Sequence, residues 1–85
     1  MQFDNAAVMR LKVVAEADPG TLVRVLQFFQ ARSVIPRQAI ARRVGVEFLE
    51  IEIDVDAADC APDAFRVVVA KINELPIVLT AVLCD

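Results

Sequence analysis

The chain has 85 residues, of which 58% are hydrophobic, and a formal net charge of −3. That length suits one domain burying about 60–65% of its extended surface, and the acidic balance excludes a phosphate backbone, hence nucleic acid, as a partner. So small a volume with so much apolar material implies exposed patches, and the expected remedy is a symmetric homo-oligomer, in the simplest case a homodimer, or a larger partner.

Residues 1–7 have no clear period and are expected to form a flexible N-terminus, leaving 8–85 as the folded domain. From 8 to 16, Met9, Leu11, Val13 and Ala15 alternate with Arg10, Lys12, Val14 and Glu16. That period of two predicts a strand with one covered face. After Asp18-Pro19-Gly20, the residues Leu22, Val25, Leu26 and Phe29 recur at helical spacing, so a helix is expected to end near Ser33. Residues 34–44 fit an edge strand, because Pro36 removes a ladder donor and three arginines discourage unwanted pairing.

The third strand is the clearest, with Leu49, Ile51, Ile53 and Val55 alternating with Phe48, Glu50, Glu52, Asp54 and Asp56. Paired with the first strand, its acids would face Arg10 and Lys12. Ala61-Pro62-Asp63 opens a second helix whose stripe is Phe65, Val68, Val69 and Ile72, and Asn73-Glu74-Leu75-Pro76 ends it. Residues 77–83 are apolar almost throughout, which predicts a strand whose second face is covered too, by a neighbouring subunit. The order strand, helix, strand, strand, helix, strand is the split βαβ, ferredoxin-like arrangement: an α+β fold with a four-stranded antiparallel sheet and both helices on one face. In it the Gly20 loop is expected to open beside the start of the second strand.

Chemistry is sparsely supplied. There is no histidine, Ser33 is the only serine, and Thr21 and Thr80 are the only threonines, so nucleophile-base pairs cannot be assembled. The chain therefore reads as non-enzymatic, with no cofactor. Cys60 and Cys84 have no further thiol or imidazole with which to build a metal or redox site. With no signal peptide in view and apolar runs too short to span a bilayer, a cytoplasmic location, free thiols and no membrane association are expected.

The one candidate ligand site is the junction Ala17-Asp18-Pro19-Gly20-Thr21-Leu22. A strand that hands over to a helix through Pro-Gly leaves amides of the first turn unpaired, with the positive end of the peptide dipole, and this suits a carboxylate. An ordinary capped turn, with Asp18 accepting from the first-turn amides, explains the same residues without a ligand.

The segment from Val13 to Leu26, with Phe29-Gln30-Ala31-Arg32 closing the helix, resembles the opening of an ACT domain, and the order and length of the later elements are similar too. Within that family a chain of this size is most similar to the short regulatory subunits of acetolactate synthase, the enzyme that begins branched-chain amino acid synthesis. The resemblance implies a module that binds a small amino-acid effector through Asp18, Pro19, Gly20, Thr21 and Leu22 and modulates a catalytic partner. It also implies a second wall from the start of the second strand, where many relatives carry an Asn. Here that position is Ile35, which cannot replace an amide's donors and acceptors. Two functions therefore stand side by side: an effector-binding regulatory homodimer, and a structural interaction module with no small-molecule ligand. An enzyme of the acylphosphatase kind lacks the required Arg and Asn in a phosphate-cradling loop.

Overall fold

The computed structural model describes residues 8–84, arranged as β1 (Val8–Glu16), α1 (Thr21–Gln30), β2 (Gln38–Val44), β3 (Phe48–Asp56), α2 (Pro62–Asn73) and β4 (Val78–Cys84). The expectation for residues 1–7 lies outside the described residues. The four strands form one antiparallel sheet in the order β2-β3-β1-β4. This is the predicted α+β, ferredoxin-like topology, with β1 and β3 central.

The alternation in β1 decides which way the sheet faces. Leu11, Val13 and Ala15 are fully buried, and across the ladder they meet Ile53, Ile51 and Leu49. Over this face α1 lays Val25 and Phe29, and α2 lays Phe65, Val68 and Ile72. The rings of Phe29 and Phe65 meet at 6.2 Å and 45°, locking the two helices together at the middle of the core. Each such buried side chain contributes on the order of 1.5–3 kcal/mol from water exclusion.

One expectation is corrected. The second strand begins at Gln38 and not at Val34. Ser33 adopts a left-handed conformation, φ 58°, and the Val34 N–H returns to the Phe29 carbonyl at 2.9 Å, the form of a helix-terminating turn. Val34 then packs in the core while Pro36, with no N–H, keeps residues 34–36 out of the ladder, and the Arg37 N–H makes the first bond to β3, donating to the Asp54 carbonyl at 2.7 Å. Within one chain the apolar run of β4 is covered on one face only: Val78 and Ala81 are buried and Leu83, opposite Leu11, lies on the same face at its open end, whereas Leu79 and Val82 are about half exposed. Both helices lie on the other side, so nothing within the described residues reaches the outer face.

That outer face carries a ladder of ion pairs instead. Arg42 meets Glu50 at 2.6 Å, Lys12 meets Glu52 at 3.7 Å, and Arg37 meets Asp56 at 2.8 Å. Arg10 grips Asp54 with two bonds, Nε to Oδ1 at 2.7 Å and Nη2 to Oδ2 at 3.0 Å. The guanidinium of Arg10 lowers the Asp54 carboxyl from its ordinary value, against the opposing effect of burial. The pairs of Arg10 and Lys12 with the acids of β3 are the predicted ones, and Arg37 and Arg42 extend the ladder toward β2.

Candidate functional site

The turn after β1 is built by backbone geometry. The Ala17 N–H donates to the Glu47 carbonyl at 2.9 Å, tying the exit of β1 to the β2-β3 turn. Asp18 Oδ1 accepts the Gly20 N–H at 2.8 Å, and the Thr21 N–H reaches the Asp18 carbonyl at 3.0 Å. Thr21 is fully buried, its hydroxyl donating to the Glu16 carbonyl at 2.8 Å, so the first residue of α1 is clamped to the last residue of β1. Pro19 precedes the cap residue Gly20 and stays exposed. Gly20 has an ordinary φ of −88°, and a Cβ there would touch only Asp18 Oδ1 at 3.4 Å.

Asp18 thus fastens the cap residue and not the first-turn amides. Among the described residues, no hydrogen-bond acceptor meets the N–H groups of Leu22 and Val23, while Arg24 N–H closes on Gly20. Two amides at the positive end of α1 are therefore free to meet water or an anion.

Beside this turn lies a concavity of about 230 Å³ lined by Ala17, Asp18, Pro19, Arg43 and Leu49. Arg43, at the end of β2, spends one guanidinium arm on the Val46 carbonyl at 2.6 Å. An exposed carboxylate, a guanidinium and an apolar wall share this hollow. Arg43 and Leu49 were not among the sequence-derived site residues. The parallel course of β1 and β2, implied by the strand order, is the signal that could have found them, because it brings the two strand ends to the same end of the sheet.

The same topology corrects the expected neighbour of the Gly20 loop. The loop opens beside the end of the second strand, not its start, since α1 must travel back along the sheet before β2 begins. Asp18, Pro19, Gly20, Thr21 and Leu22 stay together at the N-terminal end of α1. Ile35 lies past the other end, roughly 15 Å of helix away by the rise of ten residues. It is 81% exposed and borders a larger open groove of about 760 Å³, between Leu26, Phe29 and Gln30 of α1 and the first residues of β2. One chain does not unite the two walls.

No family model matches the sequence, and no curated protein matches it. Solved structures do. The ACT domain of GTP pyrophosphokinase from Chlorobium tepidum superposes with a TM-score of 0.74 at 10% identity, over 91% of this chain and 96% of that one. The fold is that of an ACT domain. The C-terminal domain of the MgtC protein from Mycobacterium tuberculosis gives a TM-score of 0.76 at 14% identity, over 99% of this chain and 92% of that one. The regulatory subunit of aspartate kinase from Thermus thermophilus, in a ligand-free form, gives 0.70 at 17% identity, over 94% of this chain but 52% of that one.

Among the described residues no helix is long and apolar enough to cross a membrane. Cys60 is buried, Cys84 is half-buried, and both thiols are free.

Proposed function

We propose that this domain is a non-catalytic regulatory module, working as a homodimer, that binds a small amino acid and passes the event to a partner enzyme. The observation that carries this reading is the hollow at the turn before α1, where Asp18, Arg43 and Leu49 border one small volume, with the unpaired amides of Leu22 and Val23 in the first turn of the helix that follows. A zwitterion needs both charges answered. Arg43 and the helix start answer a carboxylate, the second oxygen of Asp18 answers an ammonium, and Leu49 offers contact to an apolar side chain such as valine's.

Dimerisation gives Ile35 a part in the same site. Antiparallel pairing of two β2 strands sets the end of one beside the start of the other, so the Asp18 turn of one copy approaches Ile35 of its mate. An apolar residue there complements an apolar effector. Binding at such a boundary would shift the geometry or stability of the pair, which a catalytic partner can sense. For that partner we name acetolactate synthase in the cytoplasm, on the resemblance of the segment from Val13 to Leu26. The aspartate kinase neighbour, itself a regulatory subunit, supports the general role.

A second reading, an interaction module without a ligand, is favoured by two observations: Ile35 stands where an amide would fix the effector, and Asp18 Oδ1 is already engaged by Gly20. A thermal-shift screen of the twenty amino acids separates the two. An effector at a hundredfold excess over its Kd raises stability by about 2.7 kcal/mol. Arg43→Gln should erase that shift while leaving the unliganded melting temperature in place, and Gly20→Val should erase it with a modest loss of folding. A screen in which no amino acid raises the melting temperature decides for the ligand-free module.

A further inference from the structure

The centre of β4 is occupied by a side chain that imitates a strand. Ala81 gives neither its N–H nor its C=O to β1: Asn73 Oδ1 accepts the N–H at 2.8 Å, and Asn73 Nδ2 donates to the C=O at 2.7 Å. A carboxamide carries a donor and an acceptor side by side, as a peptide unit does. Asn73 therefore fills the seat that one residue of a fifth strand would take. The same Nδ2 also lies 3.3 Å from the Val69 carbonyl, which steadies the amide on the last turn of α2.

Apart from a register shift opposite Val14 and Ala15, which leaves Leu79 without a partner in β1, the remainder of this edge suits pairing. Between Val78 and Cys84 there is no charged residue and no proline, the usual deterrents on an exposed strand. Leu79 is 54% and Val82 49% exposed. The segment is also nearly symmetric about Ala81. An antiparallel copy crossing there sets Leu79 against the other copy's Leu83 and Thr80 against its Val82, so apolar groups meet apolar groups, Thr80 keeps its hydroxyl at the solvent side, and no charge is buried.

We propose that β4 is a pairing edge for a second copy of this chain, joined antiparallel about Ala81, and that Asn73 is the plug that keeps it closed. A plug has a purpose in a molecule whose other edge, β2, is exposed along its whole length. Self-pairing at both edges would not close and would run on as a ribbon. This inference does not depend on effector binding at the Asp18 turn.

The test compares the parent chain with Asn73→Ala by sedimentation velocity at tens of micromolar, with hydrogen exchange at the Leu83 amide. The variant should show a weight-average mass at least twice the parent's that keeps rising with concentration, as an open ribbon does, and the Leu83 amide should gain protection. Adding Leu79→Lys should return the mass to the parent's. Should Asn73→Ala prove poorly folded, Asn73→Leu removes the same amide while keeping bulk and helix propensity, and the same outcomes apply to it. An unchanged mass with an unprotected Leu83 amide overturns the proposal, as does an increased mass that survives Leu79→Lys.

Discussion

The two edges of the sheet are kept in order by opposite means. Along β2 every residue is exposed, neither helix covers it, and it is tied to its neighbour through ladder bonds and ion pairs, Arg42 with Glu50 and Arg37 with Asp56. β4 is apolar, lies against α2, and has its central backbone groups capped by Asn73. The first edge depends on charge and stays open to another chain. The second depends on packing and is shut by one amide. An edge can thus be guarded by what it repels or by what already occupies it, and only the second device leaves the strand free to be apolar.

The largest expected effect follows from that difference in covering. Ile72 is fully buried on α2, whereas Ile40 on β2 is 49% exposed. Ile72→Ala should destabilise the domain by about 2–5 kcal/mol through lost burial and a residual cavity. Ile40→Ala should stay within about 0.5 kcal/mol. Urea unfolding of the two variants under the same conditions checks the ratio. Comparable losses would mean that β2 is covered in solution by something beyond this chain.

Much of this was legible in the residues because one physical signal sufficed for each element. The strict alternation of β1 and β3, and the stripes ending at Phe29 and Ile72, follow from the need to put one face in the core. Asp18-Pro19-Gly20 marks the turn between β1 and α1 for a like reason, since backbone chemistry there is local. Arg43 and Leu49 were not recoverable in that way. Each is an ordinary strand residue until the sheet order carries the end of β2 and the start of β3 to the Asp18 turn. The role of Asn73 escaped for the same cause: next to a proline-terminated helix it reads as a stop signal, and its second task exists only once β4 has folded back along α2. The overextended second strand came from counting Val34 and Ile35 as strand formers when Ser33 was already closing the helix.

Acid should separate the ion-paired centre and β2 side of the sheet from the β4 edge, with a smaller effect. Asp54 titrates below the ordinary carboxylate range in the folded chain because Arg10 holds it, while the unfolded chain titrates near the ordinary value of about 3.9. The folded state therefore binds fewer protons at this site. Its stabilisation is complete above the unfolded value and is lost as pH falls through the folded one. Denaturant midpoints measured from about pH 5 downward should decline, and Asp54→Asn should flatten that decline. The Asn73 bonds to Ala81 carry no titratable group, so the exchange protection they give the Ala81 amide should persist over the same range while protection on the β2 side weakens. Loss of both together would show that the ion pairs and the amide plug belong to one cooperative unit.

The smallest effect on stability should fall on the residue that matters most for association. Ala41 is the middle of the seven-residue β2, in line with Ile51 on the helix side of the sheet, but exposed because neither helix reaches this edge. Any antiparallel pairing of β2 with its own copy over most of its length brings the two Ala41 side chains near the symmetry axis. Ala41→Lys would then set two ammonium groups close together, whereas in a lone chain the new side chain extends into water. The expected result is a monomer by sedimentation at concentrations where the parent is a dimer, with a urea midpoint that barely moves when both are compared as monomers at high dilution. A dimer that survives this substitution removes β2 as the joining edge. It would also separate Ile35 from the Asp18 turn, leaving the hollow beside Arg43 to act alone.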